Sequence, residues 1–85
     1  MNDESMEDVV SSAVRKERTE GKFLLDRFRE KLTTFENEYD MKTVEFIDKF
    51  EAGTLGDDED FFEWKAIYES VKYWENKIEK LEQAS

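Results

Sequence analysis

Large apolar residues recur every three or four positions through most of this 85-residue chain. The central series is Leu25, Phe28, Leu32, Phe35 and Tyr39, and the C-terminal series is Phe61, Trp64, Tyr68, Val71, Trp74, Ile78 and Leu81. This spacing places the members of each series on one side of an α-helix. The chain contains no proline, so long helices are free to form. The pattern predicts two long helices, over residues 20–39 and 58–83.

A shorter helix is predicted between them, over residues 43–52. Its apolar residues, Val44, Phe46, Ile47 and Phe50, are interspersed with acidic and basic residues. Gly53 follows at the position where a helix commonly ends in a residue with positive φ. No segment shows the period-two pattern of a strand. We therefore expect an all-α fold, a long antiparallel helical hairpin with a short connecting helix and an N-terminal helical segment.

The first twenty residues are harder to assign. Met6, Val9, Val10, Ala13 and Val14 lie on one face of a helix, and the polar run RKERTE follows them at residues 15–20. Gly21 inside a helix costs about 1 kcal/mol relative to alanine. Either a first helix ends near residue 19, or one helix runs through Gly21 with a weak point, and we favour a break or bend. Residues 1–85 then form a single helical domain in which residues 1–20 are a separate or mobile helix.

The composition argues against an enzyme. Histidine and cysteine are both absent, which removes the commonest general base, the commonest transition-metal ligand and all thiol chemistry. Neither Gly53 nor Gly56 is followed by the Lys-Ser/Thr pair of a phosphate-binding loop. No apolar run is long enough to span a membrane, and the acidic N-terminus does not resemble a signal peptide. We expect a cytoplasmic, non-enzymatic protein without a cofactor, a metal or a membrane contact.

The formal charge of −10 is concentrated in two acidic clusters, at residues 3–8 and 57–60. The charge elsewhere is nearly balanced and forms no basic face, so we expect no nucleic-acid binding. Acids at these places stabilise the exposed N–H groups of a helix start, and Asp57 is expected to accept from the N–H of residue 60. A cation site is disfavoured because the order of glycines and acids does not match an EF-hand. Attraction of a basic partner protein is compatible with the capping role.

The chain has twelve aromatic residues, and among those of the last helix are Trp64, Tyr68, Tyr73 and Trp74. Most are expected in the core, because a small helical domain needs large side chains to bury enough surface. Phe62 and Tyr73 point away from the line through Phe61, Trp64 and Tyr68, so part of the set must meet another surface. We expect self-association, with a dimer favoured. The candidate partner-binding residues are Asp57, Asp58, Asp60, Phe62, Trp64, Tyr73 and Trp74.

Residues 35–82, and above all GTLGDDEDFFEW at residues 53–64, resemble a family of short prokaryotic helical proteins. The shared motif is G-x-L-G-D-D-x-D-x-x-E-W, carried here by Gly53, Leu55, Gly56, Asp57, Asp58, Asp60, Glu63 and Trp64. Many members are labelled putative antitoxins of toxin–antitoxin pairs, which implies a basic partner encoded by a neighbouring gene. The chain lacks the DNA-binding part of most antitoxins. The leading interpretation is a protein-interaction module, antitoxin-like in this sense, and the alternative is a structural homo-oligomer with no separate ligand.

Overall fold

The computed structural model describes the backbone of residues 3–84 and the side chains of residues 6–84. Three α-helices follow one another: α1 over Asp3–Tyr39, α2 over Thr43–Glu51 and α3 over Glu59–Ala84. Tyr39 contacts Phe61 at one end of the hairpin, and Lys22 pairs with Glu82 near the other, so α1 and α3 are antiparallel. The described chain contains no strand and measures 62 × 21 × 18 Å. The expected all-α hairpin with a short connecting helix is confirmed.

The first helix is continuous through Gly21, so a break in the helix at this position, one of the two outcomes expected there, is wrong. Gly21 is buried under α3. A Cβ atom at this position would lie 2.7 Å from two ring carbons of Trp74 and 3.4 Å from Ile78. The absence of a side chain lets the Trp74 ring rest on the α1 backbone. This packing offsets the cost of about 1 kcal/mol that glycine imposes on a helix.

The larger part of the core lies at the loop end of the hairpin, where all three helices meet. Trp64 and Phe46 are completely buried there, and their rings stack with centroids 4.0 Å apart and planes 2° apart. Phe35 stacks on Trp64 from α1 at 5.4 Å. Around this cluster pack Phe28, Leu32, Tyr39, Met41, Phe50, Leu55, Phe61 and Tyr68. The aromatic surplus seen in the sequence is therefore largely used to bury α2 against the hairpin.

A smaller apolar cluster continues the core toward the other end of the hairpin. It consists of Leu25 from α1 and of Val71 and Ile78 from α3, with Trp74 packed against it. Ion pairs flank this stretch, among them Arg29 with Glu75 at 2.8 Å and Lys22 with Glu82 at 3.1 Å. Exposed pairs of this kind each contribute at most about 1 kcal/mol, so the apolar seam provides most of the stabilisation.

Two polar contacts fix the start of α2. The residue before the helix, Lys42, makes no side-chain cap. Instead, a carboxylate oxygen of Glu36 in α1 accepts a hydrogen bond of 2.7 Å from the backbone N–H of Thr43. The hydroxyl of Thr43 accepts from the indole Nε1–H of Trp64 at 3.1 Å, so the buried indole is satisfied. Glu36, seven positions before Thr43 in the sequence, thus caps the first N–H group of α2 in place of a side chain at the N-cap position.

The loop between α2 and α3 contains a Schellman motif. Gly53 has φ of 73°, its N–H donates to the carbonyl of Phe50, and the N–H of Thr54 donates to the carbonyl of Lys49. The role expected for Gly53 is confirmed. The cap of α3 differs from the expectation, because Asp58 and not Asp57 accepts from the N–H of Asp60, at 2.9 Å. The helix begins at Glu59, one residue later than predicted, which moves the cap with it.

The first helix is longer than its partner, with 37 residues against 26. Near the end of α3, Lys77 pairs with Glu17 at 2.6 Å. Residues 6–13 are all exposed, and Val14 is the first intermediate position. We call residues 6–13 the overhang. It continues the line of α1 beyond the part of the helix that α3 covers.

Candidate interaction surfaces

The acids that open α3 form one exposed acidic patch. Asp57 and Asp58 are exposed, and Asp60 is half-buried. Asp58 caps the helix, and Asp60 accepts a hydrogen bond of 2.5 Å from the hydroxyl of Tyr39. None of residues 57–60 has a lysine or arginine within ion-pair distance in the described chain. The patch therefore keeps its negative charge and also performs the capping role expected from the sequence.

Phe62 lies beside this patch with 55% of its surface exposed. Its ring meets the edge of Phe50 at a centroid distance of 5.6 Å, and Lys65 lies 5.3 Å above the centre of the Phe50 ring. Phe61, just before it, packs against the core and Trp64, two residues after it, lies within the core, which fixes the backbone that carries Phe62. We call residues 57–60 together with Phe62 the acidic end. At this surface, negative charge and an exposed aromatic ring lie side by side at the start of α3, next to the packed core.

Trp64 does not belong to any surface. Its exposure is 0%, its ring lies against Phe35 and Phe46, and its only polar atom is bonded to Thr43. The assignment of Trp64 as a partner-binding residue is therefore wrong. Trp64 lies three residues after Phe61 on the apolar face of α3, and this position predicts that its side chain is buried. Packing against α1 and α2 therefore accounts for a tryptophan at this position, and no partner is needed to explain it.

Tyr73 and Trp74 lie in the second half of α3, about 16 Å from Phe62 along the helix at 1.5 Å per residue. Trp74 is half-buried over Gly21, whereas Tyr73 is 55% exposed. Lys77 lies over both rings, at 5.7 Å from Tyr73 and 5.3 Å from Trp74. The seven candidate residues therefore divide between the acidic end, the core, which includes Trp64 and the half-buried Trp74, and a separate site near the end of α3 that contains Tyr73.

That separate site is a groove of about 500 Å³. Its lining residues are Tyr73, Asn76, Lys77, Lys80 and Leu81. The groove begins beside α1, where Lys77 pairs with Glu17, and extends around the outer side of α3, where Tyr73 and Lys80 are half a helical turn away from the Trp64 line. We call it the α3 groove. Of these residues, only Tyr73 was among the predicted partner-binding residues, although residues 73, 76, 77 and 80 have the i, i+3, i+4, i+7 spacing of one helix face.

Two titratable groups depart clearly from their ordinary behaviour. The hydrogen bond to the Asp60 carboxylate, with burial and nearby acids, raises the pKa of Tyr39 well above its usual value. The ion pair with Glu17 and the contact with Tyr73 raise the pKa of Lys77. Both shifts favour the protonated side chain, which is the form that makes each contact. They are therefore consequences of structural bonds. Neither creates a general base near neutral pH.

No described set of three or more acidic side chains is arranged to hold a metal ion. Among the described helices, none is both long and apolar enough to cross a membrane. Comparison with protein-family models, with curated protein sequences and with solved structures found no match to this chain. The surfaces described above are consequently the basis for a functional proposal.

Proposed function

We propose that this chain is a non-enzymatic protein-interaction module that binds a basic partner protein through the acidic end. The observation that carries the proposal is the placement of an exposed phenylalanine beside a set of acids that have no lysine or arginine within ion-pair distance in the described chain. Uncompensated charge of one sign attracts a partner of the opposite sign and speeds encounter. An exposed aromatic ring at the same place provides the apolar contact that holds the complex.

The rigidity of the acidic end favours binding with little reorganisation. Asp58 and Asp60 are held by hydrogen bonds, and the Phe62 ring rests against Phe50. Ordering side chains at an interface costs about 0.5–1.5 kcal/mol for each one that is immobilised. A surface already ordered in the free protein avoids part of this cost. The same bonds limit how far the acids can move toward a bound cation, which suits a protein partner better than an ion.

The specific form of the proposal is an antitoxin-like role in a prokaryotic gene pair. It follows from the resemblance of residues 53–64 to the G-x-L-G-D-D-x-D-x-x-E-W family, whose members are often labelled in this way. The partner would be the basic product of a neighbouring gene. Binding would cover the acidic end and leave the hairpin core unchanged.

Co-expression of the tagged chain with the product of the adjacent gene, followed by affinity purification, tests the proposal. We expect a complex that weakens as salt is raised, because exposed charges are screened. Phe62→Ala should reduce recovery of the partner at least tenfold. Phe23→Ala is the matched control, since Phe23 is 61% exposed on α1, far from the acidic end. Failure to recover any complex, or equal effects of the two variants, would contradict the proposal.

The second candidate function is a structural homo-oligomer with no separate ligand. The exposed apolar residues of the overhang favour it, since Met6, Val9 and Val10 are 71%, 66% and 61% exposed. Contiguous apolar surface of this kind commonly marks an interface. The acidic end and the overhang lie at opposite ends of the hairpin, so the two functions use different residues and are compatible.

A further inference from the structure

The face of α1 that contacts α3 continues into the overhang, past the end of α3. Leu25 and Gly21 pack against α3, and Val14 is the last position that is partly covered. Continuing at helical spacing from Val14 gives Val10 and then Met6, both of which are exposed. The overhang therefore presents the same apolar face as the hairpin seam, but without a helix to cover it.

The α3 groove offers the matching features. Tyr73 contributes exposed apolar surface, and Leu81 is half-buried at the other end. Two lysines line it: Lys77 is paired with Glu17 of the same chain, whereas Lys80 makes no ion pair in the described chain and is the cation left for an incoming acid. The groove spans residues 73–81, about 12 Å of helix at 1.5 Å per residue. It is an apolar stripe edged with cations.

The overhang has the complementary charge and length. Glu7 and Asp8 flank Met6, Val9 and Val10, and neither acid has a cationic neighbour within ion-pair distance in the described chain. Residues 6–13 span about 11 Å, close to the length of the groove. Because the overhang belongs to a continuous helix that extends beyond the end of α3, it cannot fold back onto the groove of its own chain. A second copy brings the two surfaces together.

We propose that two copies of this chain form a two-fold dimer in which each overhang docks into the α3 groove of the other copy. Each α1 then covers its own α3 with residues from Val14 onward and the other copy's α3 with the overhang. The two α3 helices lie end to end between the two α1 helices. In this arrangement the overhang runs parallel to the groove it fills, and Glu7 comes near Lys77 and Lys80. The contact occurs twice, as an isologous interface requires.

The proposed interface is small and partly charged, so its affinity is expected to be modest. Each docking site involves about two turns of helix, which places the total buried area at or below the roughly 1,200 Å² typical of weak complexes. We expect a Kd in the micromolar range that rises with salt, because Glu7, Asp8 and Lys80 are exposed. This proposal does not rest on the acidic end and stands or falls separately from the partner proposed above.

Sedimentation equilibrium over a range of protein concentrations tests the dimer. Val10→Asp places a charge in the apolar contact and should raise the dimer Kd at least tenfold, with the helical content unchanged by circular dichroism. Val44→Asp is the matched control, because Val44 is 70% exposed on α2 and lies outside the proposed interface. A wild-type chain that stays monomeric at all concentrations would overturn the proposal. So would a dimer that Val10→Asp and Val44→Asp affect equally.

A charge exchange tests the pairing of the overhang with the groove. Glu7→Lys alone and Lys80→Glu alone should each weaken the dimer several-fold at low salt, and the double variant should recover at least half of the loss. Lys31→Glu, on α1 outside the interface, is the control for net charge. If the losses of dimer affinity in the two single variants add in the double variant, Glu7 and Lys80 do not meet. The dimer would then use another arrangement, or the groove would take an acidic helix of a different protein, and either result rejects the proposal.

Discussion

The close contact at Gly21 makes a quantitative prediction about alanine at that position. Alanine gains about 1 kcal/mol in helix propensity over glycine. Its Cβ, however, would lie 2.7 Å from Cε3 and Cζ3 of Trp74, which is well inside van der Waals contact. Forcing a packed side chain to move typically costs about 1–3 kcal/mol. The Trp74 ring has little freedom to move, because it packs on the Leu25 cluster and is covered by Lys77.

We therefore expect Gly21→Ala to lower the free energy of unfolding by up to about 2 kcal/mol, the overpacking cost less the propensity gain. In a Trp74→Ala background the obstacle is gone, so the same substitution should raise the free energy of unfolding by up to about 1 kcal/mol. The sign reversal is the distinctive result. It corresponds to a coupling energy of about 1–3 kcal/mol between residues in contact.

Urea denaturation of the four proteins of this cycle, followed by far-UV circular dichroism at one fixed protein concentration, measures the coupling. Gly56→Ala serves as the control, since its Cβ would meet open space and its φ is not in the left-handed region. It should leave stability unchanged or raise it slightly by restricting the unfolded chain. If Gly21→Ala changes stability equally in both backgrounds, α1 and α3 are not packed as closely as described here.

Three further substitutions test other contacts. Thr43→Val removes the acceptor for the Trp64 indole and should cost about 1–3 kcal/mol in urea denaturation, whereas a loss below about 0.5 kcal/mol would argue against the buried bond. The hydrogen bond from Tyr39 to Asp60 raises the pKa of Tyr39 above 10.0, the ordinary tyrosine value. Its contribution to stability is complete below pH 10.0 and is lost as the pH rises from there toward the raised pKa. Stability should therefore fall more steeply above pH 10.0 in the wild type than in Tyr39→Phe, and parallel profiles would reject this bond. Gly53→Ala places a side chain at φ of 73° and should cost about 1–2 kcal/mol by the same assay, while an unchanged midpoint would contradict the turn.

The apolar spacing was sufficient to predict α2, α3 and the second half of α1, but it did not show that α1 extends unbroken back to Asp3. Series at intervals of three and four located α2 and α3 to within one or two residues, and Gly53 marked the end of α2 correctly. These features are local, since each depends on residues close together in sequence. The seam position of Trp64 likewise carried the information that its side chain would be buried, although the sequence analysis gave it a surface role.

The features that the sequence analysis missed depend on residues far apart in the chain. Gly21 looked like a weak point because its propensity cost is local, while the Trp74 ring that compensates it comes from another helix. The cap of α2 by Glu36 and the α3 groove have the same origin, because both need the hairpin to be assembled. The overhang could not be measured from the sequence, since its length depends on where α3 ends against α1.

The burial of Trp64 tests the central claim most directly, because the loop end of the hairpin is built around this ring. The chain has two tryptophans, so Trp74→Phe leaves Trp64 as the only indole. We predict that its fluorescence is blue-shifted relative to the urea-unfolded chain and that acrylamide quenches it at least several-fold less efficiently than in that unfolded chain. Emission and quenching equal to those of the unfolded chain, under conditions where circular dichroism shows intact helices, would contradict the account.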